Sequence, residues 1–111
     1  DLIAAGVRMV QPDIVKMGGI TGLQQCAAIC RGHAVELVPH QTQPVIGHMA
    51  NLHLVSSLMY RTKPAEYADA SGRMDIGFVE PPRPRNGCFH LSDRPGLGIE
   101  VNEAELSRRR V

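Results

Sequence analysis

The chain contains no apolar run approaching the ~18 residues that span a bilayer. It has no stripe of one charge either. Lys and Arg number 12, Asp and Glu 11, for a formal net charge of +1. Without a gathered basic face, a nucleic-acid footprint is not expected. The one basic cluster, Arg108-Arg109-Arg110, is shorter than the ~5–8 residues of basic interaction patches and reads as a solvated tail. Low-complexity segments are lacking. The opening "DLIAAGVRMVQPD" has an acidic first residue and no cleavage pattern, so no secretory leader is read in it.

Cysteine is scarce. Cys26, Cys30 and Cys88 are an odd number without disulfide-framework spacing, which points to a reducing cytoplasm. Cys26, Cys30 and His33 recur at i, i+4 and i+7, on one helical face. That set offers three zinc ligands, but structural zinc takes four, usually from two segments. The cysteines read better as small core residues.

What remains is an ordinary soluble composition, 43% hydrophobic and 21% charged. A length of 111 residues suits one small domain. The chain opens without Met, and Asp1 to Ala5 read as the last turns of a helix ended by Gly6. A piece of a longer protein is therefore expected.

The pattern predicts an α/β fold. "VRMVQPD" (7–13) is an apolar run stopped by Pro and Asp, a strand. "TGLQ" has capping-box form, with Thr21 as N-cap and Gln24 three residues on. It opens a helix near 21–31, for which Gly32 suits the C-cap. "VELVP" (35–39) is a second strand. Residues 46–59 have helical length and are apolar on most sides, as in a buried helix. "KPAEYAD" (63–69) contains a third strand, near 64–68. The order β-α-β-α-β implies parallel strands with crossover helices. Residues 71–111 change character: a Pro- and Gly-rich meander with turns at Asn86-Gly87 and Pro95-Gly96. A short helix capped by Asn102 closes it.

Asp13 ends the first strand, His40 ends the second, and Glu66 lies in the third. They are 27 and 26 residues apart, about one βα unit each. Carboxyl ends of parallel strands point the same way, so the three groups are expected to converge on the rim where ligands bind in such folds. A histidine beside a carboxylate is held in one tautomer and made more basic. A further carboxyl kept protonated donates a hydrogen bond to a developing oxyanion. Such a trio suits proton abstraction next to a carboxylate. A cap or a satisfied polar group is the plain alternative for each member. Gln41 and Gln43 either touch a hydroxylated substrate or pin the loop. Lys16 falls past the strand end, in the glycine turn; "KMGG" is no Walker motif. His48 and His53, five apart, read as helix polar groups and not as ligands.

These same residues carry a resemblance. "QPDIVKMGGITG" (11–22), "VELVPH" (35–40) and "AEYAD" (65–69) resemble the sixth, seventh and eighth barrel strands of the mandelate racemase/muconate lactonizing enzyme family, in the enolase superfamily. "DRPGLGIEV" (93–101) resembles the segment that returns to its capping domain. The resemblance implies the last three βα-type strands of a (β/α)7β TIM-like barrel. It further implies proton abstraction α to a carboxylate, with the enediolate stabilised on Mg2+. Asp13 resembles the mandelate racemase subgroup. His40 would then be the general base or acid, Asp13 its dyad partner, and Glu66 the hydrogen-bond donor to the enolate. The resemblance puts the Mg2+ ligands on the third to fifth strands and a second base, a lysine, on the second, all outside this sequence. The expectation is the C-terminal part of a Mg2+-dependent acid-sugar dehydratase, inactive alone and homo-oligomeric when whole. A racemase or epimerase on the same scaffold and a non-catalytic remnant are the rivals.

Overall fold

A computed structural model describes residues 2–58, 63–68 and 76–109. Asp1, Met59, Asp69 and Arg110, which the expectations above invoke, lie outside the described residues. The elements are β1 (Met9–Val10), α1 (Gly19–Gly32), β2 (Glu36–Leu37), α2 (Val45–Ser57) and α3 (Glu103–Arg108).

β1 and β2 pair in parallel, Met9 opposite Glu36 and Val10 opposite Leu37. An isolated parallel bridge carries the same offset on to Asp13 and His40. The amides of Glu36, Val38 and His40 donate to the carbonyls of Arg8, Val10 and Pro12 at 2.9, 3.1 and 3.1 Å. Pro12 accepts but has no N–H to return, which interrupts the ladder beyond Val10 and Leu37; the expected strands 7–13 and 35–39 are thus observed as two-residue cores. Upstream, Gly6 and Val7 donate to the carbonyls of Ile3 and Leu2, with Gly6 at φ 88°. That bond pair closes helices, so Gly6 acts as expected, although residues 2–6 form turns and not a helix.

α1 starts earlier than its sequence signal. Gly18 is the N-cap, at φ 84°, and makes no side-chain cap bond. Thr21 therefore sits within the first turn, and the expected capping box is not used. The turn closes through its own backbone: Met17 and Gly19 donate to the carbonyls of Asp13 and Ile14. The chain passes so close that a Cβ on Gly22 would overlap the Met17 carbonyl. At the other end Gly32 is helical, and the left-handed residue is Ala34, at φ 53°. Ala34 and Val35 donate back to Arg31 and Cys30, the two bonds of a Schellman motif.

α2 is apolar nearly all round because two cores claim it. On one side Leu54 joins Ile14, Leu23, Ala27, Cys30, Val35 and Leu37, the seam between α1 and the strands. On the other, Val45, Met49 and Leu52 pack against Phe78, Phe89, Leu91, Leu97 and Ile99 of the C-terminal meander. Cys30 is thus a core residue, and burial together with the neighbouring Cys26 thiol pushes its own thiol up to about 11.

The third expected strand is a correction. Residues 63–68 form no strand. The hydrogen bonds that tie this segment to the end of β2 run through the Glu66 carboxylate and not through a backbone ladder. The meander is as expected. Arg85 and Cys88 exchange backbone bonds around Asn86 and Gly87, both at positive φ, as a type I′ turn requires. Gly98 closes the Pro95-Gly96 turn onto Pro95, and Phe78 bridges Val101 antiparallel. Asn102 caps α3 by accepting from the Glu105 amide at 3.0 Å.

Candidate active site

His40 stands where β2 ends. Its backbone amide donates to Pro12, which fixes it beside the end of β1. Nδ1 lies 3.0 Å from Glu66 Oε2, and the same oxygen accepts from the Gln41 amide at 2.7 Å. Nε2 lies 3.3 Å from the Thr42 hydroxyl. With Nδ1–H donated to a carboxylate, Nε2 carries the lone pair and is the basic atom. The two side chains are 39% and 36% exposed, within reach of a ligand.

Asp13 is placed differently. It is 7% exposed. Oδ1 accepts from the amides of Val15 at 2.8 Å and Lys16 at 3.3 Å. Oδ2 accepts from Gln43 Nε2 at 2.6 Å. Burial pushes its carboxyl up. The two amides, the Gln43 side chain and the Lys16 charge outweigh that, holding it below its ordinary value. Asp13 and His40 are thus neighbours through the backbone, while the carboxylate on the imidazole is Glu66. The pairing implied by the resemblance is not the one observed. The reason is local: Asp13 ends a strand that turns at once, and the turn's own amides take its oxygens.

Gln41 is buried and bonded at both ends, donating to the Gln43 carbonyl at 2.9 Å and accepting from Asn51 Nδ2 at 3.0 Å. Gln43 is held by Asp13. Of the two expectations for these glutamines, the observed contacts pin the loop. Lys16 is exposed in the turn. A hollow of ≈ 470 Å³ lies beside this loop, walled by Ile14, Val15, Gln43, Pro44, Ile46 and Gly47. His40 is not part of that wall. No group of three or more His, Cys, Asp or Glu among the described residues is arranged to hold a metal. Asp13 spends its oxygens on N–H groups, and so does Glu66 Oε2, so these carboxylates, among the described residues, do not fit Mg2+.

Sequence reasoning missed Asn51, and it read His48 and His53 only as helix polar groups. Asn51, on α2, donates to the His40 carbonyl at 3.2 Å; an amide in the middle of a largely apolar helix was its signal. His48 is buried against Tyr67 and Phe89, with ring centroids 5.3 and 4.8 Å away, and burial lowers its pKa. His53 reaches the Leu97 carbonyl at 3.3 Å.

Parallel βα units with ionisable groups at adjacent strand ends define a segment of an α/β fold. Residues 1–105 match the enolase C-terminal domain-like family, and the chain belongs to it, within the mandelate racemase/muconate lactonizing enzymes of the enolase superfamily. It is 30% identical to D-galactarolactone cycloisomerase of Agrobacterium fabrum, over 99% of this chain and 31% of that protein. It is 60% identical to a mandelate racemase/muconate lactonizing protein from Paracoccus denitrificans PD1222, solved with magnesium, over 97% of this chain and 29% of that one, with a TM-score of 0.92. An enolase from Pantoea ananatis with bound D-gluconate and magnesium is 28% identical, over 96% of this chain and 26% of that one, with a TM-score of 0.82. The chain thus spans about a third of the length of such relatives. No helix among the described residues is long and apolar enough to cross a membrane.

Proposed function

We propose that this chain supplies the proton-moving histidine of a Mg2+-dependent, cytoplasmic, homo-oligomeric acid-sugar dehydratase. The observation that carries the reading is His40 at a strand end, half-exposed, with Nδ1 on Glu66 and the basic Nε2 in no closer contact than 3.3 Å to the Thr42 hydroxyl among the described residues. His40 Nε2 takes the proton α to a carboxylate, and Glu66 stabilises the imidazolium that forms. The imidazolium then returns that proton to a departing hydroxide, which leaves as water; the enol ketonises to a 2-keto acid. Asp13 orients the His40 loop through Gln43. Magnesium, when bound, would stabilise charge on the substrate carboxylate. Its ligands belong to the part of the protein beyond this sequence.

The Agrobacterium relative favours a second reading, cycloisomerisation, in which the leaving oxygen belongs to a lactone ring and the proton step is unchanged. A racemase or epimerase is a third, and would need a base on the opposite face. The test is a panel of sugar acids and their lactones, incubated with the full-length protein and Mg2+ in D2O. A 2-keto acid from an open-chain acid supports dehydration. Turnover of lactones alone moves the assignment to cycloisomerisation. Deuterium at the α carbon without a new product moves it to racemisation. Neither a new product nor exchange on any acid or lactone overturns the proton-transfer role.

A further inference from the structure

We propose that Asn51 is a positioning residue for His40, an inference that rests on His40 being the proton-moving group. Asn51 is 3% exposed, in the middle of α2. Its Nδ2 donates to two acceptors, the His40 carbonyl at 3.2 Å and Gln41 Oε1 at 3.0 Å. Because both partners are acceptors, the amide has only one workable orientation. That orientation leaves Oδ1 buried without a partner among the described residues. A buried unpaired acceptor is a cost that a leucine here would avoid. Asparagine is also a mediocre helix former. What offsets both is the work of Nδ2.

The contacts continue from that atom. Gln41 Nε2 donates to the Gln43 carbonyl, and Gln43 Nε2 donates to Asp13. One helix side chain therefore ties the loop 40–43 to the end of β1. His40 is held on both sides of its α carbon, by Pro12 through its amide and by Asn51 through its carbonyl. The Gln41 amide is held by Glu66. Only the side-chain torsions of His40 remain free, and Glu66 settles the ring. Displacing a reacting group by about 1 Å costs on the order of 10²-fold in rate, so this clamp bears directly on turnover.

The test compares Asn51→Leu, and Asn51→Ala should leucine not fit, with His40→Asn in the full-length protein. Two quantities are read: α-proton exchange into D2O, corrected for folded fraction, and the 15N shifts of the His40 ring. The expected result is a fall in kcat of tenfold or more, KM within threefold, and loss of the single His40 tautomer. If His40→Asn abolishes exchange while the Asn51 variants keep kcat within twofold and leave the ring shifts unchanged, positioning is overturned and the reading of His40 survives. If His40→Asn retains full exchange, the reading of His40 is overturned. The ring shifts then decide positioning by themselves, unchanged shifts refuting it and altered ones upholding it.

Discussion

Asp13 and His40 face each other across one parallel bridge, yet their side chains bond to different partners. Asp13 turns back onto its own loop and Gln43, while His40 takes Glu66. The backbone brings two candidate groups together, and the local amides decide which carboxylate reaches the imidazole.

This division makes the two carboxylates unequal. Glu66→Gln should lower α-proton exchange in the full-length protein by about 10²-fold, near the lower end of what general acid–base groups contribute, and His40→Asn by more. Asp13→Asn should cost less than Glu66→Gln, because its loss reaches His40 only through Gln43. Exchange rates of the three variants check the order. A larger effect at Asp13 would restore it as the imidazole's partner.

Asp13 should appear instead in acid stability. Its folded pKa is lowered, so the unfolded chain binds the proton more tightly. The stabilisation is fully present above the unfolded value of about 3.9 and is lost as pH falls below it, through the folded value. Urea unfolding of the full-length protein at pH 3 to 6 checks this. Asp13→Asn should flatten the acid limb.

Much of this was legible in the sequence. Pro12-Asp13 and Pro39-His40 mark where the chain leaves the two strands, and the near-equal spacing of Asp13, His40 and Glu66 puts them near one another, although only Glu66 reaches the imidazole. Asn86-Gly87 and Asn102 announced their turn and cap because each acts within four residues. The misses are where tertiary contact overrides local preference. Thr21 looks like a cap, but the glycine turn starts the helix from Gly18, three residues earlier. Glu66 looks like a strand residue, but its carboxylate, through two bonds to the end of β2, does the tying. The partner of Asp13 was hidden because any nearby amide competes for a carboxylate, and spacing does not rank the competitors.

His48 should make stability depend on pH near neutrality. Burial lowers its pKa from 6.5, so the unfolded state takes up a proton first as pH falls. Stability should be full above about pH 6.5 and decline below it, until the folded ring also protonates. Protonation would also place a charge between Tyr67 and Phe89. Thermal unfolding at pH 5 to 7.5 should show this slope, and His48→Phe should remove it whatever its effect on the absolute midpoint.

Two backbone positions, one in the first turns of α1 and one just past its end, should respond in opposite directions to small changes. Ala34 holds φ 53° to make the Schellman bonds, a conformation that costs an L-residue about 1–2 kcal/mol. Glycine removes that cost but adds freedom to the unfolded chain, so Ala34→Gly should stabilise by about 0.5–1 kcal/mol. The melting midpoint should rise by a few degrees. Gly22→Ala, by helix propensity alone, should stabilise by a similar amount, roughly 1 kcal/mol. The added methyl meets the Met17 carbonyl, which is backbone and cannot swing aside. The turn after Asp13 would have to open, loosening the Val15 and Lys16 amides on its carboxylate. Gly22→Ala should therefore lower the melting midpoint and weaken the acid-limb dependence assigned to Asp13. A midpoint that rises instead would show that the glycine turn yields, and that the helix start is not fixed by this contact.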